Sequence, residues 1–202
     1  MSTEVPSKPR PIEQAKLLLG EGFEEVLFFE AFLKHLGISG VQVEDCKGKS
    51  NLRAYLKALR TRTGFSGLQV LGVTRDADDE PVAAAASIAD AITNAQFPAS
   101  LKVATFILPG AGLAGALEDL CFNALAGQPV ETCVHDYFVC VDRVTSRTSP
   151  AGTRLAKARI HAWLAAQEEP DLRLGQAAVQ GLIDWSKPAF DELRRFLTDL
   201  FR

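Results

Sequence analysis

The chain has 202 residues, 47% of them hydrophobic and 23% charged, which suits one folded domain with a sizeable core. Its 25 Asp and Glu against 22 Lys and Arg leave a formal charge of −3. That balance excludes a broad cationic field of the kind that grips duplex nucleic acid nonspecifically, although local basic clusters can still position phosphates.

The apolar runs are far shorter than the ~20 residues of a membrane-spanning helix, and the N-terminal residues lack an apolar signal-peptide core. The expectation is a soluble, cytoplasmic protein with no membrane association. Cys46, Cys121, Cys133 and Cys140 form no CxxC pair and sit in apolar or helical contexts, so free buried thiols are expected in place of disulfides or zinc ligands.

In chain order, residues 1–13 carry Pro6, Pro9 and Pro11 among polar residues and read as a loose arm. A single domain follows over 14–202, with a core at 14–126 and a helical extension at 127–202. Ala15 to Leu19 reads as a short buried strand closed by Gly20-Glu21-Gly22. From Glu24 to Leu36, Phe28, Phe29, Phe32, Leu33 and Leu36 recur at helical spacing. Val41 to Glu44 predicts a second strand, and Ser50 is placed to N-cap a helix running to about Leu59. Leu68 to Val73 predicts a third strand. Pro81 then suits the first turn of an Ala-rich helix reaching about Thr93. Val103 to Leu108, rich in β-branched and aromatic residues, predicts a fourth strand.

Strands alternating with helices mark a mainly parallel, four-stranded α/β sheet flanked by helices. Beyond Gly115 the pattern turns helical, over Leu117 to Ala126, Val130 to Val144, Gly152 to Ala166 and Ala189 to Phe201. The C-terminal third is therefore expected to be all-helical.

Ligands of open parallel sheets bind beyond the carboxyl ends of the strands. Strand one ends at Glu21, and strand three is followed by Asp76, Asp78, Asp79 and Glu80. Strand four leads through a Gly-rich loop to Glu118-Asp119. Three strand ends thus deliver carboxylates to one edge. If the chain stays extended, Asp76 and Asp78 point the same way and share one cation. Crowded carboxylates repel each other unless a cation neutralises them, and Mg²⁺ takes oxygen ligands. The competing reading is that such acids only cap helices and make turns. Lys47-Gly48-Lys49, after strand two, is a candidate phosphate-holding turn through backbone N–H groups and a lysine, against the plainer reading of a solvated basic turn. His35, His135 and His161 match no strand end, and Tyr137 and Trp185 read as core or rim aromatics.

The two stretches LLLGEGFEEVLFF and LQVLGVTRDADD resemble the TOPRIM pattern: a strand ending in Glu-Gly, a helix, and a later strand ending in Asp-x-Asp. TOPRIM domains occur in topoisomerases, bacterial primases and nucleases of the overcoming-lysogenization-defect type. FILPGAGLAGALEDLC, GQAAVQGLIDW and PAFDELRRFL further resemble a small stand-alone TOPRIM-related family of unknown function. The resemblance implies a Rossmann-like TOPRIM fold, with Glu21 as general acid/base or metal ligand. It makes Asp76 and Asp78 ligands of Mg²⁺ or Mn²⁺, and Glu118 a further acid. The implied activity is phosphoryl transfer, most simply hydrolysis of DNA or RNA phosphodiesters. A noncatalytic metal- or nucleotide-binding module of a larger assembly, with a partner such as an ATPase, is the alternative. Arg75 departs from the pattern, being charged where a small or apolar residue is usual. No strand-breaking tyrosine context accompanies the motifs, which argues against topoisomerase activity.

Overall fold

The computed structural model describes residues 10–145 and 151–202. Four strands, β1 (Lys16–Gly20), β2 (Val41–Asp45), β3 (Val70–Asp76) and β4 (Lys102–Leu108), form one all-parallel sheet in the order β2-β1-β3-β4. Each crossover carries a helix: α1 (Phe23–His35), α2 (Leu52–Leu59) and α3 (Pro81–Ala95). The chain then continues through α4 (Leu117–Asn123), α5 (Pro129–Thr145), α6 (Thr153–Leu164), α7 (Leu174–Val179) and α8 (Asp191–Phe201). This is the α/β architecture with a helical C-terminal part that the alternation of patterns predicts. No helix among the described residues is long and apolar enough to cross a membrane.

The two-residue period of β1 divides the interior. Leu18 points to one face, into a core shared with Phe28, Phe32, Trp163, Phe190 and Leu197. Leu17 and Leu19 point to the other, where Leu56, Leu59, Ile88 and Ala91 of α2 and α3 cover them. The two central strands, covered on both faces, are apolar on both sides, which is why KLLLG and VLGV show no polar alternation. Gly72 is required by packing. A Cβ there would lie 2.9 Å from Leu18 Cδ1 and 3.0 Å from Leu200 Cδ2, so its absence lets α8 settle onto β3.

Several expectations need correcting. Ser50 caps nothing: it lies inside a 3-10 turn (Lys49–Asn51), and Asn51 occupies the N-cap of α2 without a side-chain bond. The third strand starts later than Leu68 and extends to Asp76. The six-residue α7 was not anticipated, because LGQAAV is too short to show a helical period. Cys46 and Cys121 are buried, but Cys133 and Cys140 are exposed on α5, a helix that buries only Val134. Residues 1–9 of the expected loose arm lie outside the described residues. Residues 10–13 are fastened: Ile12 is buried and donates its N–H to Thr63 O at 2.9 Å, and Gln42 Nε2 donates to Pro11 O at 3.0 Å.

Candidate functional site

From β1 the chain crosses to β2 on one side, then returns to place β3 on the other side of β1. The helices leaving β1 and β3 consequently pack on opposite faces, α1 in one core and α3 in the other. A crevice opens beyond the carboxyl ends of two strands wherever the order reverses in this way. A cavity of about 730 Å³ lies there. Glu21, Glu25, Asp76 and Glu118 line its sheet side, and Lys157, His161 and Arg173 line the side formed by the C-terminal helices.

Glu21 is held by its backbone. Its N–H donates to Glu25 Oε2 at 3.0 Å, and its carbonyl accepts the Gly48 N–H at 2.8 Å, which draws the loop after β2 against the site. Gly20 permits this, since a Cβ there would lie 2.8 Å from Glu25 Oε2. The Glu21 side chain is less settled. Its Oε1 is buried without a hydrogen bond, and Arg75 Nε stands 3.7 Å away, too far to donate one. Burial raises the Glu21 pKa; Arg75 opposes the rise and the charge of Asp78 adds to it.

Asp76 is the last residue of β3, and its Oδ1 accepts the N–H of Leu117, the first residue of α4, at 3.0 Å. Burial, followed by the charges of Glu21 and Glu118, pushes its carboxyl up to about 8. Glu25 is 7% exposed and raised well above its ordinary value, by burial first and then by Asp76. Glu118, in the first turn of α4, reaches Lys157 Nζ at 3.2 Å. Its neighbour Asp119 accepts the Ala116 N–H at 2.8 Å and serves as a helix cap. The adjacent acids thus divide, one into the cleft and one into structure.

Asp78 departs from the expected side-by-side arrangement with Asp76. Extended geometry stops at Asp76: Ala77 is buried with its N–H on Leu108 O at 2.9 Å, and Asp78 adopts φ 51°. The Asp78 backbone pairs in both directions with Gly115, at 2.9 and 2.7 Å, joining the β3–α3 and β4–α4 loops. Its carboxylate turns to the rim, where Lys49 Nζ lies at 2.6 Å. From there it is felt electrostatically by Glu21 without lining the cleft.

Lys47 and Gly48 line the cleft, and Lys49 stands at the rim. The Gly48 N–H is already committed to Glu21 O, and Lys47 Nζ lies 2.9 Å from Asp45. A phosphate at this turn would meet lysine side chains in place of that N–H.

Among the described residues, no three His, Cys, Asp or Glu side chains already converge as an assembled metal cage. The donor set is nonetheless that of a hard cation. Mg²⁺ takes oxygen ligands, commonly one or two carboxylates, and completes its shell with water and substrate oxygens. The orphaned Oε1 of Glu21 and the raised carboxyl of Asp76 are the groups a cation would relieve.

Sequence reasoning missed four residues of this region. Glu25 had a legible signal: it shares the apolar stripe of Phe28, Phe29 and Phe32, where a carboxylate has no reason to sit unless buried for a purpose. Glu24 accepts the Gly175 N–H at 2.9 Å and fastens α7 to α1. His161 follows Lys157 by one helical turn, so both face the cleft, and Arg173 precedes α7. Tyr137 is exposed, whereas Trp185 stacks on Phe32 at 4.8 Å within the core and His35 stacks on the same ring at 6.4 Å.

No curated protein and no solved structure matches the chain. A family model does match, over residues 15–202, and the chain belongs to that family, DUF3226, described as a protein of unknown function.

Proposed function

We propose that the cleft is a divalent-metal-dependent phosphoryl-transfer site, most simply that of a TOPRIM-type nuclease hydrolysing phosphodiesters in nucleic acid. One observation carries the reading. Carboxylates from the end of β1, the end of β3 and the start of α4 line one cleft at the point where strand order reverses, and one buried oxygen among them has no hydrogen-bond partner. Purely structural acids are satisfied by backbone N–H groups or cations, as Asp119 is.

In this reading Asp76 and Glu21 hold Mg²⁺ or Mn²⁺, with Asp78 and Glu118 at its flanks. The ion would supply charge neutralisation at a phosphate oxygen and a bound water of lowered pKa. Glu21 Oε1, buried without a partner, either ligates the ion or, with the ion on Asp76, accepts the proton of the attacking water. The Leu117 N–H fixes the orientation of Asp76, and Lys157 fixes that of Glu118. Arg75, 3.7 Å from Glu21, limits how far that carboxyl rises.

A second reading is a noncatalytic metal- or nucleotide-binding module. It draws on Asp78, which is engaged by Lys49, and on the lack of an assembled three-ligand cage among the described residues. One experiment separates the two. Single- and double-stranded DNA and RNA are incubated with Mg²⁺ or Mn²⁺ and either wild type or Asp76→Ala, with folding followed by circular dichroism. Metal-dependent cleavage lost in a folded variant supports the nuclease. Absence of cleavage, with an Mn²⁺ anomalous peak between Glu21 and Asp76 in a crystal, favours the module.

A further inference from the structure

Phe23, the first residue of α1, is 62% exposed and lines the cleft two residues from Glu21. The other phenylalanines of α1 are core: Phe28, Phe29 and Phe32 pack with one another and with Phe190. Phe23 makes no ring contact of this kind among the described residues. Burying such a ring stabilises a fold, so exposure beside a group of carboxylates forgoes stability without a packing return. A second observation lies on the helical side of the cleft. Lys157 is engaged by Glu118, but the side chains of His161 and Arg173 form no hydrogen bond or ion pair among the described residues. An exposed aromatic face, an uncommitted guanidinium and an uncommitted imidazole therefore border an otherwise acidic cavity.

We infer that Phe23 is a stacking platform for an unpaired nucleobase, and that Arg173 and His161 hold the adjoining phosphates, so the cleft accepts single-stranded polynucleotide in preference to intact duplex. The inference rests on the phosphoryl-transfer reading and specifies its substrate. Every base has a π-face, so stacking on an aromatic side chain recognises unpaired nucleotides without regard to sequence. In a duplex those faces are covered by neighbouring base pairs. The cavity volume, about 730 Å³, falls within the range of about 300–1,000 Å³ that encloses a ligand of small-molecule size. That is the size of one or two nucleotides. The net charge of −3 likewise gives duplex backbones no extended cationic track. Phosphate entry into an acidic cleft needs a local cation, and Arg173, the residue preceding α7, provides one.

The test uses Phe23→Trp. Native Trp163 and Trp185 are 6% and 8% exposed, so the introduced indole is the solvent-facing reporter. With Ca²⁺ replacing Mg²⁺ to suppress turnover, oligo-dT should quench its fluorescence saturably, and a blunt duplex of equal length should not. Measured by anisotropy, Phe23→Ala should weaken oligo-dT binding by about 5- to 100-fold, and Arg173→Gln should weaken it several-fold. Oligo-dT binding equal in Phe23→Ala and wild type, or an introduced indole left unquenched at saturation, overturns the inference. The parent reading fails differently. Quenching without metal-dependent cleavage of any strand sinks the nuclease and leaves the stacking platform. Asp76-dependent hydrolysis of small phosphate esters with no oligonucleotide binding sinks the platform and leaves phosphoryl transfer.

Discussion

Two clusters of partly buried polar side chains sit on adjacent strands of the sheet and have opposite characters. On the edge strand β2, Glu44 receives Arg62 through both guanidinium Nη atoms at 2.7 and 2.9 Å, together with the Tyr55 hydroxyl and Gln42. Gln42 in turn accepts the Glu13 N–H at 2.7 Å and donates to Pro11 O, while Arg62 reaches Arg10 O. Burial pushes the Glu44 carboxyl up, but the bonds from Arg62, Tyr55 and Gln42 together outweigh it and hold the group below its ordinary value. At the ends of β1 and β3 the same residue types carry the reverse sign: Glu21, Glu25 and Asp76 are all raised. The difference lies in partners. A carboxylate given a bidentate arginine is a structural clamp, here fastening residues 10–13 to the sheet. Carboxylates buried close together, with little more than a single N–H group or the more distant Arg75 against the rise, store unfavourable free energy that a cation can release.

The largest expected effect tests the poised cluster. For a metal-dependent nuclease, Asp76→Ala lowers cleavage ~10³-fold or more, since several kcal/mol of charge stabilisation is lost at a factor of ten per ~1.4 kcal/mol. The fold should survive, because Asp76 contributes one accepted hydrogen bond from Leu117. Turnover assays alongside thermal unfolding check both halves. Activity retained in the variant would remove Asp76 from the site.

The clamp should show the converse pattern, stability lost and cleft chemistry kept. Arg62→Met leaves Glu44 without its cation, and breaking a buried pair from one side costs about 3–5 kcal/mol. At about 2–4 °C per kcal/mol for a domain of this size, the melting temperature should fall by about 6–20 °C. The lowered Glu44 carboxyl also sets a pH window. Its stabilisation is present above the ordinary carboxylate range and is lost as pH falls through the lowered value, so acid should destabilise wild type more than Arg62→Met. Equal acid sensitivity would show that the clamp is not the group responsible.

Asp76 gives the opposite slope. Its folded pKa, about 8, lies above the unfolded value, so the native state binds more protons between roughly pH 4 and pH 8. Metal-free stability is then greatest below that window and declines as pH rises through about 8. Asp76→Asn should flatten the decline and melt higher than wild type at pH 8, by a few degrees at about 2–4 °C per kcal/mol. Adding Mg²⁺ or Mn²⁺ should stabilise wild type at pH 8 and leave the variant unmoved. A wild-type profile already flat over this range contradicts the crowding of Asp76 by Glu21 and Glu118.

The contrast also explains what the amino-acid sequence made legible. Alternating apolar strands and amphipathic helices signalled the parallel sheet, and strand ends signalled Glu21 and Asp76, because period and position along a strand are local properties. The rim position of Asp78 was hidden, since a left-handed residue after a strand breaks the alternation that placed it beside Asp76. The Glu44–Arg62 clamp was hidden as well: its partners are 18 residues apart, and no spacing rule pairs a strand-end glutamate with an arginine beyond a helix. His161 and Arg173 entered the cleft through the packing of α6 on α4 and of α7 on α1, a tertiary outcome. Glu25 alone was readable and overlooked, as the charged member of an apolar stripe.

Cys46, which follows β2, gives the smallest effect and the most local measure of the poised cluster. Its Sγ lies 3.3 Å from Gly48 O and 3.9 Å from Glu21 O. Burial raises the thiol to about 11, and the charges of Glu21 and Glu25 add to the rise. Only the thiolate reacts with disulfide reagents, so Cys46 should be slow at pH 8, while exposed Cys133 and Cys140 react fast. Glu21→Gln removes one nearby charge and leaves burial unchanged, so Cys46 should accelerate only a few-fold. Mass-resolved labelling of that single site reads the change directly. A Cys46 rate unaltered by Glu21→Gln would mean that the Glu21 carboxyl is already neutral at pH 8, and the metal-free cluster would then carry less charge than its shared burial implies.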